Sequence, residues 1–452
     1  MKTWQTAGAP TTLIYANPSS THSIYPPPSV VALSPFALLP WPTAWKTLIL
    51  LSTTLYLAAL ILLSRLIPPP AHRKPWTTPC QLIFITLGLL LAPAQSALHV
   101  SNVTILSASL LFIALHLLLR TTSEPGAPYI DSDVWASSEA RPPSSIPPPT
   151  HTEILDTNPG TRLGAPCLAS ETWIPTTATS VTVAILLTLS LTIKPTLAPI
   201  ILLYLLYKRR WKILTTTITL TALITATFQL LQPNWNWLPS LRANIDLLFT
   251  TGVASLLPEN LTRSDRIDLQ LPAYALTHSL NAAAALATLL TLALLALWLI
   301  AIKKNRPPTV ADYARIPLDP ALPHPSSLPT RNLDRELLIL STLLVIGLLP
   351  VYQRFYSATL LLIPILWTLR NITLPRARWT LALCCVFLAN TSVLPRRLGL
   401  HTATTGPVHL VYEAFLIPHL DWLLLAIAFL LINANRHPSE SPAHHQRRER
   451  NH

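Results

Sequence analysis

IYPPPSVVALSPFALLPWPTAWKTLILLS, Ile24 to Ser52, sets three consecutive prolines, a short apolar run, a Pro-Trp-Pro and then an apolar stretch that continues to Ile67. Proline fixes φ and lacks a backbone donor, so it starts or ends helices rather than continuing them. The run between the proline clusters is too short to cross a hydrocarbon core, which needs about 20 apolar residues. The stretch Trp45–Ile67 is long enough. The pattern is therefore a Pro-rich half-helix leading into a full span. Irregular backbone of this kind is tolerated at membrane depth only where it lines a cavity or packs on protein.

The rest of the chain extends this reading. Half of the 452 residues are hydrophobic and 11% are charged, against about 25% charge in ordinary soluble domains. Apolar segments recur at Gln81–Gln95, Val100–Leu119, Thr177–Ile193, Thr196–Tyr207, Trp211–Leu231, Leu280–Ile302, Leu337–Leu349, Phe355–Leu369, Trp379–Val393 and Phe415–Ala434. The expected fold is all-α, a polytopic transmembrane helical bundle of about eleven spans plus the half-helix. A β-barrel would show short alternating segments instead. With 45 prolines and 9 glycines, the chain has few residues for a Gly-rich nucleotide cradle. GxGxxG, HExxH and GxSxG are absent as well.

The net charge of +13 reports orientation rather than nucleic-acid binding. Lys and Arg concentrate in alternate connections, such as Lys208, Arg209, Arg210 and Lys212, then Lys303, Lys304 and Arg306, then Arg370, Arg376 and Arg378. Positive charge stays on the cytoplasmic side, which puts these connections and the C-terminus inside and the N-terminus outside. Lys194, Arg242, Arg266 and Arg354 fall on the sparsely charged outer side. The expected organisation is a membrane domain over residues 1–434. It contains a flexible Pro/Ser/Thr-rich cytoplasmic loop at 121–176 and an outer loop at 232–277, and a polar basic tail follows at 435–452. Cys80, Cys167, Cys384 and Cys385 lack metal-ligand spacing and read as apolar fillers. No metal site and no cofactor is expected.

Several stretches, taken in order, resemble glycosyltransferase family 87. LIYANPSSTHS (Leu13–Ser23) and the Ile24–Ser52 segment are similar to the family's first outer loop, with its Tyr-Pro-Pro motif and its short half-helix. IKPTLAPIILLYLLYKRRWK (Ile193–Lys212) resembles its Lys-Pro segment and basic turn. RIDLQLPAYALT (Arg266–Thr277), LLVIGLLPVYQRFYSATLLLIPILW (Leu343–Trp367) and VYEAFLIPHLDWLLL (Val411–Leu425) are similar to later segments. The resemblance implies a GT-C-type integral membrane enzyme. Such an enzyme moves a hexose, mannose first, from a polyprenyl-phosphate carrier to a lipid or glycan acceptor on the outer face of the inner (plasma) membrane. The implied partners are membrane lipid, the polyprenyl-phosphate donor and the acceptor, with no nucleic acid.

The resemblance also implies a catalytic Asp just after a first span. By spacing it falls at or before Met1; the first Asp here is Asp131. The expectation is a chain that lacks that span, and no catalytic residue is assigned. A transporter or flippase, or a degenerate non-catalytic relative, is the alternative. Candidate substrate-binding residues are Tyr25, Lys194, Arg242, Asp246, Arg266, Asp268, Arg354 and Tyr356. Lys194 and Arg354 suit a phosphate, and the alternative for both is an interface anchor. Arg242 with Asp246, and Arg266 with Asp268, suit an acceptor or a plain solvated loop face. Glu413 and Asp421 flank the last span, where an acid is costly unless it is paired or near water.

Overall fold

The computed structural model describes residues 27–67, 77–99, 102–123, 177–231, 238–239, 242–243, 246, 266–304, 328–350, 352–389, 391 and 411–436. Tyr25, most of the 121–176 loop, most of the 232–277 loop and the tail beyond Arg436 lie outside the described residues.

The architecture is an all-α bundle, as expected. Helices α1 (Pro27–Ala37), α2 (Trp41–Ser64), α3 (Thr77–Leu90), α4 (Ala92–His99) and α5 (Val103–Ser123) come first. They are followed by α6 (Thr177–Ile193), α7 (Ala198–Tyr207) and α8 (Trp211–Leu231). Strand β1 (Arg266–Ile267), α9 (Gln270–Thr277), α10 (Leu280–Lys304) and α11 (Leu328–Gly347) come next. The last part holds strand β2 (Gln353–Arg354), a 3₁₀ helix (Phe355–Leu361), α12 (Leu362–Arg370), α13 (Pro375–Val386), a π-helical turn (Tyr412–Leu416) and α14 (His419–Arg436).

Prolines sit at the first turns of α2, α7 and α13, where a missing N–H costs nothing. The half-helix reading holds: α1 is 11 residues long with Pro35 inside it, and it packs on α6 and α8. Ser29 anchors it, its hydroxyl donating to the Thr192 carbonyl at 2.5 Å.

About eleven spans become fewer among the described residues. Four helices are long and apolar enough to cross a membrane: Pro42–Ser64, Val103–Arg120, Trp211–Leu230 and Leu280–Lys304. A fifth is reached if α3 and α4, bent by 48° at their junction, count as one span. Ala178–Ile193 and Phe355–Arg370 are shorter apolar helices; Pro195 follows the first and Pro350 precedes the second. The bend between α3 and α4 falls beside Pro93, and the Ala92 N–H freed there donates to the Phe387 carbonyl at 3.1 Å.

The core is organised around α5. Of its apolar window 83% is buried, against 22% for α8 and 33% for α2 and α10, so α5 is the inner helix and the others face outward. Outward-facing Leu50, Leu57, Leu223, Leu289 and Leu292 are exposed, as a lipid-facing surface requires. Helices packing in lipid have no hydrophobic drive between them and rely on small residues and interhelical hydrogen bonds. Ser107 of α5 and Ser190 of α6 supply both, each hydroxyl donating to the other's carbonyl at 2.9 Å.

The two ends of the bundle differ. At one end Arg370 donates to Asp334 at 2.5 Å and to the Leu66 carbonyl. Glu336 there accepts from Tyr204 at 2.7 Å and from Lys208. These bonds tie α2, α7, α11 and α12 together. The other end holds Lys194, the β1–β2 pair and the start of α14. Arg209, at φ 51°, reverses the chain between α7 and α8 within the basic turn.

Close packing at Gly347 carries a prediction. A Cβ there would meet Ile200 Cδ1 at 1.8 Å and Cγ1 at 2.3 Å. Gly347→Ala is expected to destabilise the bundle by about 1–3 kcal/mol, the usual cost of overpacking. The measurement is the unfolding temperature in lipid nanodiscs.

Candidate functional site

Lys194 sits in the turn between α6 and α7, where Pro195 ends the first helix. Its side chain is buried, with 8% exposed. The ammonium donates to Thr104 Oγ1 at 2.7 Å and to Ser357 Oγ at 2.9 Å. It also stands 4.8 Å from the centroid of the Tyr356 ring. Both hydroxyls are held in place. Thr104 bonds Asn102 Oδ1 at 2.5 Å, and the same oxygen receives the Thr104 backbone N–H at 2.9 Å, so Asn102 caps α5. Ser357 donates to Gln353 Oε1 at 2.9 Å. Among the described residues no carboxylate pairs with Lys194. Loss of water pushes its ammonium down to about 7, and the charge of Arg354 adds to the drop. A buried cation that bonds only neutral oxygens is arranged to receive an anion.

Beside it lies a second cluster. β1 and β2 pair antiparallel with Arg266 opposite Arg354, so residues 88 apart in sequence become neighbours. The Arg266 guanidinium grips Asp268 in a fork, Nε to Oδ2 at 2.5 Å and Nη2 to Oδ1 at 3.2 Å. It also lies 5.4 Å from the Tyr352 ring centroid. Asp268 Oδ1 further accepts the backbone N–H groups of Gln270 at 3.0 Å and Leu271 at 3.1 Å, closing the start of α9. Arg354 Nε donates to the Tyr352 hydroxyl at 3.1 Å. Asp421, in the first turn of α14, is buried within electrostatic reach of Arg266 and Asp268.

Of the sequence candidates, the structure brings Lys194, Arg266, Asp268, Arg354 and Tyr356 to one end of the bundle. Arg242 and Asp246 are exposed, and Tyr25 lies outside the described residues. The Asp268 carboxylate is occupied by Arg266 and by backbone donors. Thr104, Gln353 and Ser357 were not legible in advance: hydroxyl and amide residues are scattered throughout the chain, and only position selects these three. Among the described residues no group of His, Cys, Asp and Glu could hold a metal ion.

A helical bundle with membrane-length helices defines a class, a membrane protein. Residues 24–130 match the model of glycosyltransferase family 87, which supports a glycosyltransferase and is consistent with the GT-C type. No curated protein and no solved structure matches the chain. The matched residues include α1 through α5, and with them Thr104.

Asp268→Ala removes a buried carboxylate from a buried guanidinium and is expected to cost about 3–5 kcal/mol, read as a fall in unfolding temperature. Lys194→Met removes an ammonium that has no carboxylate partner among the described residues. It is expected to leave that temperature unchanged or to raise it.

Proposed function

We propose that this chain is a membrane-embedded hexosyltransferase that takes a sugar, mannose first, from a polyprenyl-phosphate carrier. It delivers the sugar to a lipid or glycan acceptor at the outer face of the plasma membrane. The observation that carries this reading is the match of residues 24–130 to the glycosyltransferase family 87 model. The buried Lys194 ammonium, held by Thr104 and Ser357 and unmatched by a carboxylate among the described residues, supports a phosphate-bearing donor.

In transfer from such a donor the glycosidic C–O bond breaks, and negative charge develops on the departing lipid phosphate. Preorganised cations aimed at that charge lower the barrier. Lys194 and Arg354 fill this role, and Tyr356 offers a ring face to the ammonium or to the sugar. Arg266 lends positive field while Asp268 fixes its position. Basic residues concentrate at the opposite end of the bundle, which by the positive-inside bias is cytoplasmic. The C-terminus is on that side and the cluster is on the outer side.

Purified protein in nanodiscs, given radiolabelled polyprenyl-phosphate mannose and membrane lipid extract, is expected to release polyprenyl phosphate and label an acceptor. Lys194→Met is expected to lower kcat/KM about a hundredfold or more while the protein stays folded, with partial recovery in Lys194→Arg. Because the free Lys194 ammonium titrates at about 7, its cationic form predominates below that pH and is lost above it. Donor affinity in wild type should therefore weaken as pH rises through neutrality, and this dependence should vanish in Lys194→Arg. Substrate flux into proteoliposomes without sugar transfer would overturn the reading in favour of a transporter.

A further inference from the structure

Asp421 is the one carboxylic acid at this end of the bundle for which the described structure gives no use. Its exposure is 0%, and among the described residues neither Oδ1 nor Oδ2 has a partner in full hydrogen-bond geometry, the Asp268 backbone N–H acting on it only from outside that geometry. Its neighbours are already engaged. Arg266 is forked onto Asp268, and Asp268 accepts two backbone N–H groups besides. The backbone around Asp421 is held without help from its side chain. The Asp421 N–H donates to the Pro418 carbonyl at 2.9 Å, and Trp422 Nε1 donates to the Ala414 carbonyl at 2.9 Å. The His419 ring bridges the Leu416 carbonyl and Thr391 Oγ1, at 2.8 Å each. The segment just before it is a π-helical turn, a feature that recurs at functional sites.

A buried carboxyl whose oxygens lack partners in full hydrogen-bond geometry is expensive, and native proteins keep such groups for a reason, among them an absent ligand. The ligand's chemistry follows from what surrounds the group. Arg266 is within electrostatic reach of Asp421, and Lys194 and Arg354 stand at the same end of the bundle, cations suited to phosphate. A carboxylate repels phosphate but accepts hydroxyl hydrogen bonds, and its two oxygens can take two hydroxyls of one sugar ring. Metal ligation is not supported among the described residues.

We propose that Asp421 is the hydroxyl-accepting, specificity-determining residue of the site, binding a sugar ring whose phosphate or acceptor end lies toward the cationic cluster. The sugar's identity as the ligand rests on the glycosyltransferase reading. Its burial takes those hydrogen bonds out of water, where each is stronger.

The test is infrared difference spectroscopy of the full chain in nanodiscs, with the Asp421 carboxyl band assigned by its loss in Asp421→Asn. The probes are a short-chain isoprenyl-phosphate mannose, methyl α-mannoside, and isoprenyl phosphate without sugar. A band shift with the mannose-bearing donor identifies the donor sugar. A shift with the mannoside alone identifies the acceptor. In either case Asp421→Asn should weaken that probe about ten- to a hundredfold. No shift with either sugar, or a shift with isoprenyl phosphate alone, overturns the proposal. Stability supplies a readout that a structural role would move the other way. Asp421→Leu, which removes an unsatisfied polar group, should unfold at the same or a higher temperature than wild type, and a clear fall would make Asp421 a structural residue. Band shifts without any sugar transfer would leave this inference standing and sink the transferase reading instead.

Discussion

The buried ammonium of Lys194 joins distant segments at one end of the bundle. A charge that far from water must be met by oriented oxygens. Thr104 at the head of α5 and Ser357 in the 3₁₀ helix provide them. Those two bonds join three distant parts of the chain: the inner helix, the α6–α7 turn and the segment after α11. The half-helix α1 is fastened one step away, through Ser29 to Thr192.

The chain separates two kinds of electrostatics by position. At the basic end the charges are structural. Glu336 and Asp334 neutralise Lys208 and Arg370 and hold helices side by side. At the other end Arg266 is matched to Asp268, while Lys194 bonds hydroxyls and neither Asp421 oxygen has a partner in full hydrogen-bond geometry among the described residues. Natural proteins satisfy local rules almost everywhere and break them where function demands it. An ammonium without an anion and a carboxyl without a donor in full hydrogen-bond geometry, both buried within the same cluster of segments, are two such breaks with opposite sign. The pairing suits a ligand with an anionic part and a hydroxyl-bearing part.

Much of this was legible from residues alone. The all-α class followed from apolar segments of membrane length, and the half-helix from prolines bracketing a run too short to span. Arg354 stood out because it departs from the positive-inside charge bias, Lys194 because it sits in the Lys-Pro segment that resembles the family's, and Arg266 because it is paired with Asp268 in a charged loop segment. Among the described residues four helices, or five with the bent pair counted as one, are long and apolar enough to cross a membrane, against about eleven apolar runs in the sequence, because hydropathy registers an apolar run whatever the length of the helix it forms. The match over residues 24–130 carries the glycosyltransferase reading, and it ends before any of the three cations.

Composition, proline spacing and apolar length therefore determined the all-α class and the short proline-bracketed first helix. Tertiary structure decided which residues meet. Arg266 and Arg354 become partners through a two-residue strand pairing that no periodicity announces. Thr104 and Ser357 become ligands of an ammonium only because α5, the α6–α7 turn and the 3₁₀ helix converge. Arg242 and Asp246, of the same residue types, remain exposed. The physical reason is that apolar pattern encodes burial and length, which are local. The neighbour that satisfies a buried polar group is fixed by close packing of distant segments, and the chain order does not encode it.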